Sequence, residues 1–215
     1  MCIKAEGRGV HIGHPELGRN AQTALVSLLA SLPLADCPGT RAIRSLSRLF
    51  PYGDLAGTGL ELTVRDEVMG CTKTNFTVCS MTETEVRCKL DSRGPLIAKP
   101  ENYSSVIDKA LREGGFTVIS SVMDDAHYVP ENTPLVQKVR GIYEEYYGRP
   151  AACCTSIGAS YAHYIEGAVS TGVAVPEVDT MLHQSNEFML IEDLLLIGET
   201  YTQAILDICR MDQAL

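Results

Sequence analysis

The sequence predicts a mixed α/β chain in two parts. Residues 1–126 should form a ferredoxin-like antiparallel sheet backed by two helices, and residues 127–215 a second α/β segment. Three observations carry this reading. Runs of alternating apolar and polar residues recur at 60–64, 74–79 and 84–90, as a sheet covered on one face requires. Helix-spaced apolar stretches lie on either side of them, at 21–32 and 103–113. Asp124-Asp125 and Pro130 then punctuate the chain ahead of a capped helical pattern.

In order, residues 1–12 end in Val10-His11-Ile12 and read as a strand. Ala21, Ala24, Leu25, Leu28, Leu29 and Leu32 mark one face of a helix that Pro33 closes. Residues 37–59 read as an insertion packed on this first domain. It holds a short basic helix with Leu46, Leu49 and Phe50 on its apolar side, then turn chemistry through Gly59. The three alternating runs follow, with Thr82-Glu83 as the turn between the last two. A helix from Tyr103 to Glu113 stops at Gly114-Gly115. Phe116 to Val122, rich in β-branched and apolar residues, reads as the last strand. The resulting order, β-α-(insertion)-β-β-α-β, gives one four-stranded antiparallel sheet.

In the second part, Thr133 caps a helix with Pro134 in its first turn. Leu135, Val136, Val139, Ile142, Tyr143 and Tyr146 share a face, and Gly148 ends it. Residues 169–175 form a candidate buried strand, weakened by Gly172. The last helix should run from about Glu192 to Cys209, burying Leu194, Ile197, Tyr201, Ala204, Ile205 and Ile208.

Composition is that of a globular chain able to bury a core: 45% hydrophobic and 21% charged over 215 residues. A formal charge of −9 argues against nucleic acid or an anionic membrane as partner. The longest apolar runs are too short to span a bilayer, and the opening residues lack a signal-peptide core. Eight cysteines without paired C-x-x-C spacing read as free thiols, most of them buried, and as a cytoplasmic setting.

Three motifs carry a resemblance. Gly158-Ala159-Ser160-Tyr161-Ala162, the turn Gly167-Ala168-Val169, and His183-Gln184-Ser185-Asn186-Glu187 ahead of Ile191-Glu192-Asp193-Leu194 form the first. Gly7, His11, Pro15, Gly18, Asn20 and Ala21 form the second, and Asp91-Ser92-Arg93-Gly94-Pro95 the third. Together they resemble the C-terminal part of the zinc dipeptidases related to carnosinases, acylases and desuccinylases, and most of all the PepV-type bacterial dipeptidases. The resemblance implies a lid domain at 1–126 and the end of a zinc-peptidase α/β catalytic domain at 127–215. It implies that His183 ligates one of two zinc ions, that His11 stabilises the developing oxyanion, and that Arg93 holds the carboxylate of a dipeptide substrate. Gly158 and Tyr161 would contact that substrate. His163 stands where the family has arginine, and Gly167 where it has asparagine, which puts the choice of dipeptide in question.

The family also needs a His-x-Asp, a bridging aspartate and a Glu-Glu pair whose first member is the general base. The 215 residues contain no His-x-Asp, and Glu144-Glu145 falls inside a predicted helix. The expectation is therefore a partial dipeptidase, inactive alone and completed by a separate N-terminal half or by self-association. His11, Arg93 and His183 would not converge within one copy. The alternatives are a non-catalytic binding or dimerisation module, or a truncated remnant, reusing the lid fold.

Overall fold

The computed structural model describes residues 2–10, 12, 15–155, 158, 160–172, 178, 180–182 and 185–211. The chain divides into two units, Met1–Ala126 and His127–Leu215. In the first, helix α1 (Ala21–Ser31) starts where the Asn20 side chain accepts the N–H groups of Gln22 and Thr23, at 2.9 and 3.1 Å. Helix α2 (Pro38–Leu49) starts at Cys37, whose N–H donates to Thr40 Oγ1 at 2.9 Å, with Pro38 in the first turn. The predicted insertion helix is thus real, and it is central rather than peripheral. It buries Leu46 and Leu49, and Phe50 just beyond it stacks on Phe76 with ring centroids 4.5 Å apart.

The expected strand at 60–64 does not form. The Asp54 carboxylate gathers the N–H groups of Ala56, Gly57 and Gly59 at 3.0–3.1 Å, and a 3-10 turn follows at Thr58–Leu60. Glu61 then turns the backbone left-handed, with φ at 61°. Leu60 and Leu62 are both buried, so the alternation marked inward-facing side chains correctly but not a strand. Strands β1 (Arg65–Asp66) and β2 (Gly70–Cys71) make a short antiparallel pair. The Asp66 carboxylate caps their turn by accepting from Val68 and Met69, and it also accepts from Leu96 at 2.6 Å.

The main hairpin joins β3 (Lys73–Met81) to β4 (Val86–Arg93), with a bulge between Phe76 and Val78. Helix α3 (Ser104–Glu113) ends at Gly114, as the sequence predicts, and Ser45 Oγ on α2 donates to the Gly114 carbonyl at 2.6 Å. Val26, Leu46, Leu49, Phe76, Tyr103 and Ile107 centre the core between these elements.

No four-stranded, ferredoxin-like sheet is present among the described residues, which carry two separate two-stranded antiparallel sheets. Both predicted outer strands are missing from the ladder. Residues 2–10 contribute one isolated bridge, between Arg8 and Arg19. Residues 116–122 pair with nothing, and only Phe116 stays on the core, tied back to the Leu111 carbonyl. Ile119 and Val122 are 82% and 84% exposed, so β-propensity found no partner strand to act on.

In the second unit, helix α4 (Pro134–Tyr147) ends at Gly148 in the left-handed conformation. Thr133 stands at its N-cap, but the hydroxyl donates back to the Pro130 carbonyl instead of capping a helical N–H. Helix α5 (Ile191–Met211) packs on α4, and Lys138 pairs with Asp207 at 3.6 Å. The buried positions of α5 are Thr200 and Ala204, while Leu194, Tyr201 and Ile205 are exposed. The predicted stripe is therefore rotated: α5 has apolar residues on two sides, and periodicity cannot say which side meets α4. Residues 169–172 form no strand, and 173–175 lie outside the described residues. The cysteines also depart from expectation, since seven are exposed and Cys79 is half-buried. Among the described residues no helix is long and apolar enough to cross a membrane.

Burial pushes the Asp54 carboxyl upward, but the N–H groups of Gly59 and Thr58 outweigh it and hold the acid below its ordinary value. Backbone donors led by Met69 hold Asp66 below its ordinary value too. A carboxylate with a depressed folded pKa stabilises the fold above the unfolded value of about 4, and that contribution is lost as pH falls through the folded pKa. Urea unfolding of the first unit should therefore show falling stability below about pH 4. Asp54→Ala should cost about 1.5–3 kcal/mol at neutral pH, because three backbone donors lose a charged acceptor.

Candidate functional site

The second sequence motif frames a cleft of about 500 Å³ in the first unit. Residues 7–10, 15, 16, 18–23, 52–55 and 74–77 line it, together with Leu49 and Phe50. The two arms of the motif meet through paired backbone hydrogen bonds between Arg8 and Arg19, at 2.9 and 3.0 Å. Both motif glycines are required by this approach. A Cβ on Gly7 would strike the Arg19 carbonyl and lie 2.9 Å from the Ala21 Cβ; one on Gly18 would lie 2.6 Å from Val10 Cγ2.

Asn20 does more than cap α1. Its Nδ2 donates to Asn75 Oδ1 and to the Phe76 carbonyl, both at 2.8 Å, fixing the start of α1 on β3. Gln22 Nε2 donates to the Thr77 carbonyl at 2.7 Å, while its Oε1 is buried without a partner. The cleft is thus rich in amides, with exposed Arg8 and Arg19 on its lining. His11, the predicted oxyanion donor, belongs to this motif but lies outside the described residues, as does His14.

Arg93 ends β4 and is not among the residues lining the cleft. Its guanidinium faces Asp91 two residues back on the same strand. Nη2 donates at 3.3 Å, and Nε approaches Oδ1 at 3.2 Å. The Nε contact is an ion pair without hydrogen-bond alignment, which leaves that buried N–H without an acceptor. Beside it, Ser92 Oγ and the Tyr103 hydroxyl share a hydrogen bond of 2.5 Å. The arginine that the resemblance assigns to a substrate carboxylate therefore holds a carboxylate of its own chain.

In the second unit, Tyr161 opens a 3-10 turn (Tyr161–Tyr164) and is 90% exposed; Gly158 is half-buried nearby in sequence. His183 lies outside the described residues. Sequence reasoning missed His127. Its Nε2 is 2.7 Å from the Ala168 carbonyl, and its ring lies 5.6 Å from that of His163. No spacing signal could have revealed this, because a helix and a long loop separate the two histidines. Glu144 is held below its ordinary carboxyl value, first by the Ala151 N–H at 3.0 Å and then by Arg140. It ties the end of α4 to the following segment, which is a structural use of the Glu-Glu pair.

The sequence is 26% identical over 210 residues to proteins of Staphylococcus aureus, strains MRSA252 and USA300, each named Putative dipeptidase. It is 25% identical over 213 residues to a protein of the same name in Staphylococcus epidermidis. The chain is a distant relative of these staphylococcal proteins. The match takes in 97% of this chain but 44% of the Staphylococcus aureus proteins, so the chain spans under half their length. No family model matches the sequence. Among the described residues no three His, Cys, Asp or Glu side chains come together as a metal site, so these residues do not by themselves fit the zinc pair that the resemblance implies.

Asn20→Ala removes a helix cap and two tethers to β3, and should cost about 1–3 kcal/mol in urea unfolding. Arg93→Ala, which loses one partly exposed ion pair, should cost no more than about 1 kcal/mol in the same measurement.

Proposed function

We propose that this chain is the substrate-binding part of a dipeptidase-type hydrolase, which adds water across the amide bond of a dipeptide to release two amino acids. The observation that carries the reading is the distant relationship itself, which runs along nearly the whole chain but under half of the relatives. In this reading Arg93 exchanges Asp91 for the free carboxylate of the dipeptide, a charge-assisted contact of the same kind. His11 donates to the amide oxygen as negative charge builds on it. Gly158 and Tyr161 border the substrate. Zinc is the implied metal, and His183 would supply one ligand, with the remaining ligands and the general base coming from outside these 215 residues. What the chain's own residues do is bind, orient and polarise.

The outer face of α5 supports an assembly larger than this chain. Ile191, Leu194, Leu195, Ile205 and Leu206 are all exposed along one side of the helix. The same stripe favours a second reading, a non-catalytic binding or dimerisation module. A metal titration separates the two, since the module requires no zinc.

The 215-residue chain, assayed alone against a panel of dipeptides with zinc, manganese or cobalt, should show no turnover above the blank. Adding the remaining portion of a staphylococcal relative should give metal-dependent turnover that His183→Ala abolishes and Arg93→Ala weakens mainly through KM. Turnover by the chain alone, lost in His183→Ala, would refute the partial-enzyme reading. Silence in the mixture would favour the binding module.

A further inference from the structure

The β3–β4 hairpin places two thiols in direct opposition. Cys79 and Cys88 are register partners, their sulfurs are 3.6 Å apart, and the Cys88 S–H donates to Cys79 Sγ. Directly opposed residues of an antiparallel pair have Cα atoms about 4.5–5.5 Å apart, inside the roughly 4.4–6.8 Å window that a disulfide bridges. The backbone is therefore already in place, and side-chain rotation suffices to close the remaining sulfur gap. Two details of the fold produce this juxtaposition. The turn is pinned by hydrogen bonds between Thr82 and Glu85, which fixes the register. The bulge between Phe76 and Val78 shifts the phase of β3 by one residue, so Cys79 shares the core-side face with Phe76 and packs at the edge of the core. Cys88 opposite is exposed.

We propose that Cys79 and Cys88 form a reversible dithiol–disulfide site that reacts with hydrogen peroxide. The paired sulfurs cannot both ionise easily at this distance. Cys88 donates its S–H to Cys79 Sγ, which assigns the proton to Cys88 and the attack to Cys79. Partial desolvation of the Cys88 sulfur and its contact with Cys79 push the Cys88 thiol upward, in keeping with that assignment. The Cys79 thiolate attacks one peroxide oxygen. An S–O bond forms, the O–O bond breaks, and the departing hydroxide takes up a proton to become water. The Cys88 sulfur then attacks Cys79, forming the S–S bond and breaking the S–O bond. The Cys88 proton leaves with that oxygen as a second water. The thiol pair loses two electrons and the peroxide gains them. The bond would lock the hairpin whose Asn75, Phe76 and Thr77 line the cleft, and a small dithiol would reopen it by exchange.

Cys37 is the competitor within the chain. Its thiol is held below the ordinary value by the Thr40 hydroxyl and N–H, so it too should meet peroxide. It has no such opposed partner, and oxidation there adds oxygen rather than removing hydrogen. Mass spectrometry separates these products. The whole chain is titrated with hydrogen peroxide, alkylated and digested with trypsin, which cuts after Arg87 between the two cysteines. The expected product is residues 74–87 joined to Cys88-Lys89, about 2 Da lighter than the two free peptides and released by dithiothreitol. Cys79→Ser and Cys88→Ser should each abolish it, and Cys88→Ser should leave a dimedone-reactive sulfenic acid on Cys79. Oxidation at Cys37 should be unchanged in both variants. The wild-type peptide map requires no variant to fold. A linked peptide joining other cysteines, oxygen adducts without the 79–88 bond, or persistence of the lighter product in Cys79→Ser would overturn the proposal.

Discussion

One asparagine side chain sets the frame of the first unit. Asn20 uses its oxygen to begin α1 and its nitrogen to hold β3, so a single amide joins helix and hairpin at a fixed offset. Everything around the cleft follows from that offset. The Arg8–Arg19 bridge can close only where Gly7 and Gly18 let the two backbones meet. Phe76, next to the tethered Asn75, is thereby placed to stack on Phe50, and α2 is brought over the same core. A polar contact costs little when it replaces water with equally good partners, and here it gains specificity by having four of them.

This explains why the second motif is legible in the sequence, yet not for what it does. Gly7, Gly18, Asn20 and Ala21 form a pattern because they build a joint, and a joint imposes residue types at fixed spacing. The helices α1, α3 and α4 were equally legible, since each has its own stop or start in Pro33, Gly114 or Pro134. Alternation was less informative. At 60–64 it reported which side chains face inward but not that Asp54 and Glu61 would wind the backbone into a turn. At 116–122 the β-branched and apolar composition reported propensity in a segment without a neighbour. Pairing is a property of two segments, and no single window contains it.

The candidate catalytic residues show a different limit. Arg93 was legible as an arginine suited to a carboxylate, and the structure gives it one, from Asp91. Residue type fixed the chemistry but not the partner. The stripe on α5 behaves in the same way: its apolar character was readable, but the side that packs on α4 depends on which face α4 offers. His127 and His163 approach each other only because a long stretch of chain folds back, and nothing local encodes that.

The bulge in β3 has a consequence for how variation in this hairpin should be understood. One additional residue on one strand acts as a phase shifter, dividing the ribbon into two halves whose inner and outer faces are assigned by opposite parity. Toward Lys73 the even-numbered positions of β3, Thr74 and Phe76, face the core; toward the turn the odd-numbered Cys79 does. A shortened β3 lacking one residue there would keep its length almost unchanged and still pair with β4. Val78 to Met81 would keep their partners on β4, and with them their faces, so the loss of the additional residue is absorbed at the bulge without exchanging the polar and apolar sides of the tip.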